Sequence, residues 1–339
     1  MTRAGRLGRF HAAGVAGALL CLTAAPGWAA GTLSATVTAT PALGKVVSGA
    51  AGSGTTTFTV TASSGAIGQA GGSAVRVTTG TSLITVTATC GGTSGSCASS
   101  LFKIVAVGSP SGRMGALGVF NVSAGSFTPS SVTGAGTSTL TFKNTTSVAH
   151  NGTETFLLGM DIPISDNTSG ATGAATSQFE VEGIAPDTGT PVNLAAGTAT
   201  ATVLRPISIA NNSLLNFGSI VRSTLVGTTN TVTIAAAGGR SISGAGNGAL
   251  AGSTGTAANY TVTGEGQQTF TISAPNFNLT SGANILTVTT TTTLASGTLG
   301  GTVGSSGTLP FGVGGHFAVT NTTPSGLYQG TLSVTVTYD

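Results

Sequence analysis

Alternation with a period of two, repeated in strand-length runs, is the feature that most limits what this chain can fold into. In Thr32–Pro41, TLSATVTATP, the apolar residues Leu33, Ala35, Val37 and Ala39 alternate with Ser34, Thr36 and Thr38. In an extended chain this places the apolar side chains on one face. A near copy, TATATVLRP, recurs at Thr198–Pro206. Thr, Val and Ile suit a pleated surface because their branched side chains are stiff there. Gly and Asn between the runs supply turns. Only 6% of residues are charged, whereas disordered chains combine low hydrophobicity with high charge. The expectation is an all-β protein.

The first 30 residues stand apart. MTRAGRLGRF carries Arg3, Arg6 and Arg9, an apolar run follows from Ala12 to Ala25, and PGWAAG offers small residues for cleavage after Ala29 or Ala30. This is the layout of a secretory signal peptide, with an apolar run too short to span a membrane comfortably. Leu20 before Cys21 argues against a lipoprotein site. The expected destination is the periplasm, the cell surface or the medium. Removing three of the eleven basic residues leaves eight against eight acids. A formally neutral mature chain has no charge excess with which to neutralise phosphates, so nucleic-acid binding is not expected.

Cys90 and Cys97 flank six small, turn-forming residues in TATCGGTSGSCASS. In an oxidising compartment this reads as a disulfide across a hairpin, and no nearby His supports a metal site. Other chemistry is sparse. His316 falls in an inferred strand, and His150 and Glu154 lie in HNGTE, read as a turn. No G-x-S-x-G elbow precedes a helix, and GEGQQ at Gly264 lacks the strand–turn–helix context of a phosphate loop. The eight acids are too scattered for a calcium site. Tyr260, Tyr328 and Tyr338 are too few for a sugar-stacking platform. No cofactor and no metal are expected, and the protein is read as non-enzymatic.

The chain is written twice. Leu43–Val60, LGKVVSGAAGSGTTTFTV, aligns without a gap to Phe217–Ile234, FGSIVRSTLVGTTNTVTI. Val46 meets Ile220, Phe58 meets Val232 and Val60 meets Ile234. Near the end of each half, FLLGMDIPI at Phe156–Ile164 matches FGVGGHFAV at Phe311–Val319, which sets His316 against Asp161. SQFEVEG after the first parallels GTLSVTVTYD after the second. Matching order at both ends predicts two tandem antiparallel immunoglobulin-like β-sandwiches, in preference to a β-helix with a short repeat. The expected division is a first domain over 31–183, a linker over 184–198 and a second domain over 199–339.

LRPISIANNSLLNFGSI, TNTVTIAAAGGRSISG, NYTVTGEGQQTFTIS and PFGVGGHFAVTNTTPSGLYQGTLSVTVTYD together resemble the bacterial family called domain of unknown function 4402 (DUF4402), over Ala199–Asp339. The first half resembles it more distantly. The resemblance implies export and a β-sandwich, and supplies no catalytic residues. The end of the chain also resembles chaperone–usher pilus subunits. Gly326 is fourteenth from the end, Tyr338 is next to last, and Leu332, Val334, Val336 and Tyr338 alternate. That likeness implies a strand read by a periplasmic chaperone and joined to a fibre neighbour by strand addition. It leaves TLSATVTATP as either a donated strand or an ordinary first strand. The sequence thus points to an exported structural subunit of the cell surface, pilus-like or adhesive. The alternative is a module that binds carbohydrate or an envelope polymer.

Overall fold

Thr56, Phe58 and Val60 are buried while Thr57 and Thr59 between them are half-buried, so the alternation in TTFTV becomes an inside and an outside face. The same pattern repeats through the computed structural model, which describes residues 31–339 apart from 93–95, 98–100, 146, 169, 185–190 and 253. The expected signal peptide lies outside the described residues. Those residues contain strands and turns and no helix.

The first domain contains β1 (Gly31–Val37), β2 (Ala42–Val47), β3 (Thr56–Val60), β4 (Ile67–Ala70), β5 (Val75–Arg76), β6 (Ile84–Gly92), β7 (Leu101–Val107), β8 (Gly118–Ala124), β9 (Pro129–Thr133), β10 (Thr139–Asn144), β11 (Thr153–Ile164), β12 (Gly173–Ile184) and β13 (Pro191–Leu204). One sheet has the order β1-β6-β11-β3-β4, with β8 also on β11. The other has the order β5-β2-β13-β12-β7-β10-β9. Their inner faces share one continuous core. At its centre the rings of Phe102, Phe142 and Phe156 lie 5.0–5.5 Å apart, in the tilted and offset arrangements that aromatic quadrupoles favour.

The second domain contains β14 (Ser208–Ser213), β15 (Ser219–Val221), β16 (Thr229–Ile234), β17 (Arg240–Gly244), β18 (Ala249–Ala251), β19 (Ala258–Glu265), β20 (Thr269–Ser273), β21 (Phe277–Ser281), β22 (Asn284–Thr292), β23 (Ser296–Thr298), β24 (Ser306–Thr320) and β25 (Thr335–Tyr338). Its larger sheet runs β14-β19-β24-β16-β17, with β22 on β24. This is the order of the first sheet, strand for strand.

Register makes the equivalence residue by residue. Val60 pairs with Met160 and Phe58 with Ile162; their aligned counterparts pair as Ile234 with Gly315 and Val232 with Phe317. Phe156 faces Val86, as Phe311 faces Tyr260. Ala35 faces Ala88, as Ile209 faces Val262. Val46 faces Arg76, as Ile220 faces Leu250. The gapless sequence alignment therefore extends back to β1 and forward to β6, and the duplication is of a whole sandwich.

That register corrects two expectations. The counterpart of β1 is β14, and TATATVL at Thr198–Leu204 is the last half of β13. β13 lies antiparallel on β12 and parallel to β2, so it completes the first sandwich and makes one parallel contact in an otherwise antiparallel fold. Residues 191–198, read as linker, are strand, and the junction falls at Arg205–Pro206. The Pro and Gly cluster that suggested a linker belongs to the β12–β13 connection, of which 185–190 lie outside the described residues. Alternation identifies a strand but is silent about which sheet takes it.

Candidate interaction site: an unfilled strand position in the second domain

The second sheet of the first domain has a partial counterpart. β15 pairs with β18 as β2 pairs with β5. β25 pairs with β20, Ile272 facing Val336, as β12 pairs with β7, Ile104 facing Val181. β23 lies on β20 as β10 lies on β7. In the first domain β13 joins the β2 side to the β12 side. In the second domain no described strand lies between β15 and β25, and the sheet is divided into a two-stranded and a three-stranded piece.

Three features follow from that division. First, β25 is short. Gly173–Ser177 of β12 pair only with β13, and their counterparts Tyr328–Leu332 lie outside the strands. Only Gln329 in that segment makes a strand-like bridge, exchanging bonds of 2.8 and 3.0 Å with Thr280. Second, the core falls into two clusters that share only the half-buried Leu215. Phe217, Ile220 and Leu250 pack in one cluster, while Leu332, Val334, Val336 and Tyr338 pack in another. Third, the facing side chains are incompletely covered. Ser177, Phe179 and Val181 are buried in β12, whereas Leu332, Val334 and Val336, their aligned equivalents along the same face, are half-buried. Ile220, the counterpart of the fully buried Val46, is likewise only half-buried.

At one end of the unfilled position lies a groove of about 640 Å³, walled by Phe217, Ile220, Leu279, Phe317, Leu327 and Tyr328. In the first domain the corresponding place is taken by Val203, which pairs with Gly173 on one side and Val46 on the other and is fully buried. Ile220 and Tyr328 are the counterparts of Val46 and Gly173. The groove is thus where the end of a β13-like strand would sit.

The far end of β25 is anchored at the domain junction. The Tyr338 hydroxyl donates to the Arg205 carbonyl at 2.9 Å and accepts from the Glu265 N–H at 2.7 Å. Burial pushes the Tyr338 hydroxyl pKa upward. Glu265 is fully buried, accepts the Arg205 N–H at 3.2 Å and the Gly304 N–H, and faces the Arg205 guanidinium at 3.5 Å. A buried carboxylate held by several donors is a structural anchor of the kind a low-dielectric interior requires.

Of the residues singled out from sequence, Leu332, Val334, Val336 and Tyr338 do share one face, although strand structure starts only at Thr335. Gly326 lies in the loop before them, packed so that an added Cβ would stand 2.5 Å from the Ser281 hydroxyl. Cys90 and Cys97 form a buried disulfide between the end of β6 and a bridge to Val148. His316 faces Thr233 and Thr289 across the sheet, and its equivalent Asp161 accepts a 2.6 Å bond from the Thr59 hydroxyl. His150 is exposed in a turn, and Glu154 accepts a 3.2 Å bond from Asn144. Among the described residues no cluster of metal-ligating side chains occurs, and no helix is long and apolar enough to cross a membrane. What sequence reasoning missed is the β15 wall, Ser219–Val221. Its signal was the alignment of Val46 with Ile220, which carries meaning only once β13 is seen beside Val46.

Fold and site together define a tandem β-sandwich chain whose second sandwich, among the described residues, has no counterpart of β13. Residues 207–338, the second sandwich from its first strand to its last, match the family model described as a domain of unknown function, DUF4402. The match begins two residues past the junction at Arg205, as the corrected boundary requires. No curated protein matches the chain. Among solved structures, the chain is similar to one from a chaperone–tip adhesin complex of CFA/I fimbriae biogenesis, with 10% identity and a TM-score of 0.22 over 73% of this chain and 78% of that one. A score that low carries no argument about fold or function.

Proposed function

We propose that the protein is a non-enzymatic, exported structural subunit of the bacterial cell surface, which assembles with other polypeptides through its second domain. The observation that carries this reading is the unfilled strand position between β15 and β25. Each of these strands is paired on one side only, and unpaired N–H and C=O groups at an edge are a template for another strand. Leu332, Val334 and Val336 beside it are alternate, apolar and half-covered, as a surface awaiting a partner would be. The basic start, apolar run and small residues of the first 30 positions support export, and the Cys90–Cys97 bond fits an oxidising compartment.

The test is the size of the exported material. Antibody against the chain should detect it in surface assemblies larger than a monomer, by electron microscopy and by size-exclusion of material sheared from cells. An exported protein found wholly as a free monomer would contradict the reading.

A further inference from the structure

We infer that the end of the second sandwich remote from the first domain docks on an anionic lipid bilayer, its turns entering the boundary between headgroups and acyl chains. Three connections form that end: 222–228 between β15 and β16, the turn between β21 and β22, and 321–327 after β24. Thr229, at the start of β16, faces Thr320 at the end of β24, and β22 runs antiparallel to β24, so register brings all three together. Contacts join them. Arg222 donates to the Thr323 carbonyl at 2.7 Å, and Gly326 packs on Ser281 at the β21–β22 turn.

These turns carry large aliphatic side chains in water. Val226 is 86% and Leu327 75% exposed, and Val221, Leu225 and Ile285 are exposed beside them. Single exposed aliphatics are ordinary, but five gathered on one set of turns mark an interaction surface. The fold does not demand them. Leu225 and Val226 align with Ala51 and Gly52 of the first domain, and Leu327, one residue before Tyr328, is the counterpart of Thr172. That end of the first domain lies against the second, where Thr172 and Gly173 adjoin Gly304 and Val303. The sandwich thus has small residues where protein covers this end, and large aliphatic ones where no described residue does.

The presentation is fixed. Asn247 Oδ1 accepts the Ser223 hydroxyl and the Thr224 N–H, both at 2.9 Å, and the Thr228 hydroxyl donates to the Leu225 carbonyl at 2.8 Å. Leu225 and Val226 are therefore held on an ordered turn, and docking orders little further backbone. Charge names the surface. Arg222 is the single charged residue of the three connections. The two acids of the second domain, Glu265 and Asp339, lie at the junction end, Glu265 against Arg205 and the Asp339 carbonyl 3.4 Å from Lys45 Nζ. Aliphatic tips with one cation and no carboxylate suit anionic headgroups over acyl chains.

Trp28 is the only tryptophan and lies in the expected signal peptide, so the full mature chain with Val226→Trp carries one fluorescent reporter, at the tip. With vesicles of equal parts phosphatidylcholine and phosphatidylglycerol, its emission should shift to the blue and the chain should float with the vesicles. With phosphatidylcholine alone flotation should be weaker. In the otherwise unaltered chain, Leu225→Ser and Leu327→Ser together should weaken partitioning by about tenfold or more, with the unfolding midpoint unchanged because both side chains are exposed. Arg222→Gln should lower binding to the mixed vesicles toward the level seen with phosphatidylcholine alone. Absence of flotation and of any emission shift with the mixed vesicles would overturn the inference, as would a double-Ser chain that partitions like the parent. A chain that ignores vesicles but self-associates, and loses that association with the double-Ser change, would assign the surface to a second copy and also overturn it. Vesicle binding by a chain absent from surface assemblies would remove the subunit reading and leave the lipid surface standing.

Discussion

Gly264 and Tyr338 show how single residues fix the edge of the second domain. A Cβ at Gly264 would lie 2.3 Å from the Tyr338 hydroxyl, the group that bonds both Arg205 and Glu265. Gly264→Ala should therefore displace the ring, and Tyr338→Phe should leave the Arg205 carbonyl and the Glu265 N–H short of a partner. Each should cost the second domain about 1–3 kcal/mol, read as a lowered unfolding midpoint with the first domain unchanged. An unaltered midpoint in both variants would refute the anchoring role. Asp166 makes a pH-dependent contribution to the first domain. The Thr168 hydroxyl, then the Thr168 and Gly54 N–H groups, hold its carboxylate pKa down to about 2. Because the folded value lies below the ordinary one near 4, this contribution is complete above that range and is lost as pH falls toward 2. Asp166→Asn should flatten the first domain's loss of stability between pH 4 and 2, measured by thermal unfolding across that interval. A mutant with the parent's slope would contradict the assignment.

Among elements, β1 and the cysteine hairpin make contrasting demands. β1 pairs with β6 along its whole length, and Leu33 and Ala35 are buried, so it is an ordinary edge strand of its own sandwich. Deleting Thr32–Pro41 should strip that ladder and abolish or broaden the cooperative unfolding of the first domain. Calorimetry showing an unaltered first-domain transition would contradict this. The Cys90–Cys97 bond closes a sequence separation of 7, so replacing both by Ser should cost only about 2 kcal/mol, measured by denaturant unfolding. The strands were legible because Thr/Val alternation writes their two faces directly, and the repeat was legible because Val46/Ile220 and Phe58/Val232 occupy equivalent ladder positions. The site was half legible. Leu332–Tyr338 showed as an alternating face, but the open edge beside it did not, because it is recognised only by comparison with β13 between β2 and β12 in the first domain. β13 was misassigned for a related reason: TATATVL resembles TLSATV in composition, while pairing across a chain separation as long as that between β2 and β13 is set by tertiary packing.

For the whole molecule, one sandwich has been copied, and among the described residues the second copy has no strand in the place that β13 takes in the first. The first domain has a single core around the Phe102, Phe142 and Phe156 rings, whereas the second has its core in two clusters, one towards each end of β24, with Leu215 packed against both. Burial is the main favourable term in folding, and a divided core with half-covered walls should leave the second domain the less stable and locally the more easily opened. The most direct measurement is native-state hydrogen exchange on the isolated mature chain, comparing the aligned segments Ala175–Val181 and Gly330–Val336. The account predicts slow exchange at Ala175, Ser177 and their neighbours, which are clamped by β13. It predicts exchange faster by orders of magnitude at Gly330–Val334, which lack the equivalent clamp. Equal protection in the two segments would contradict it.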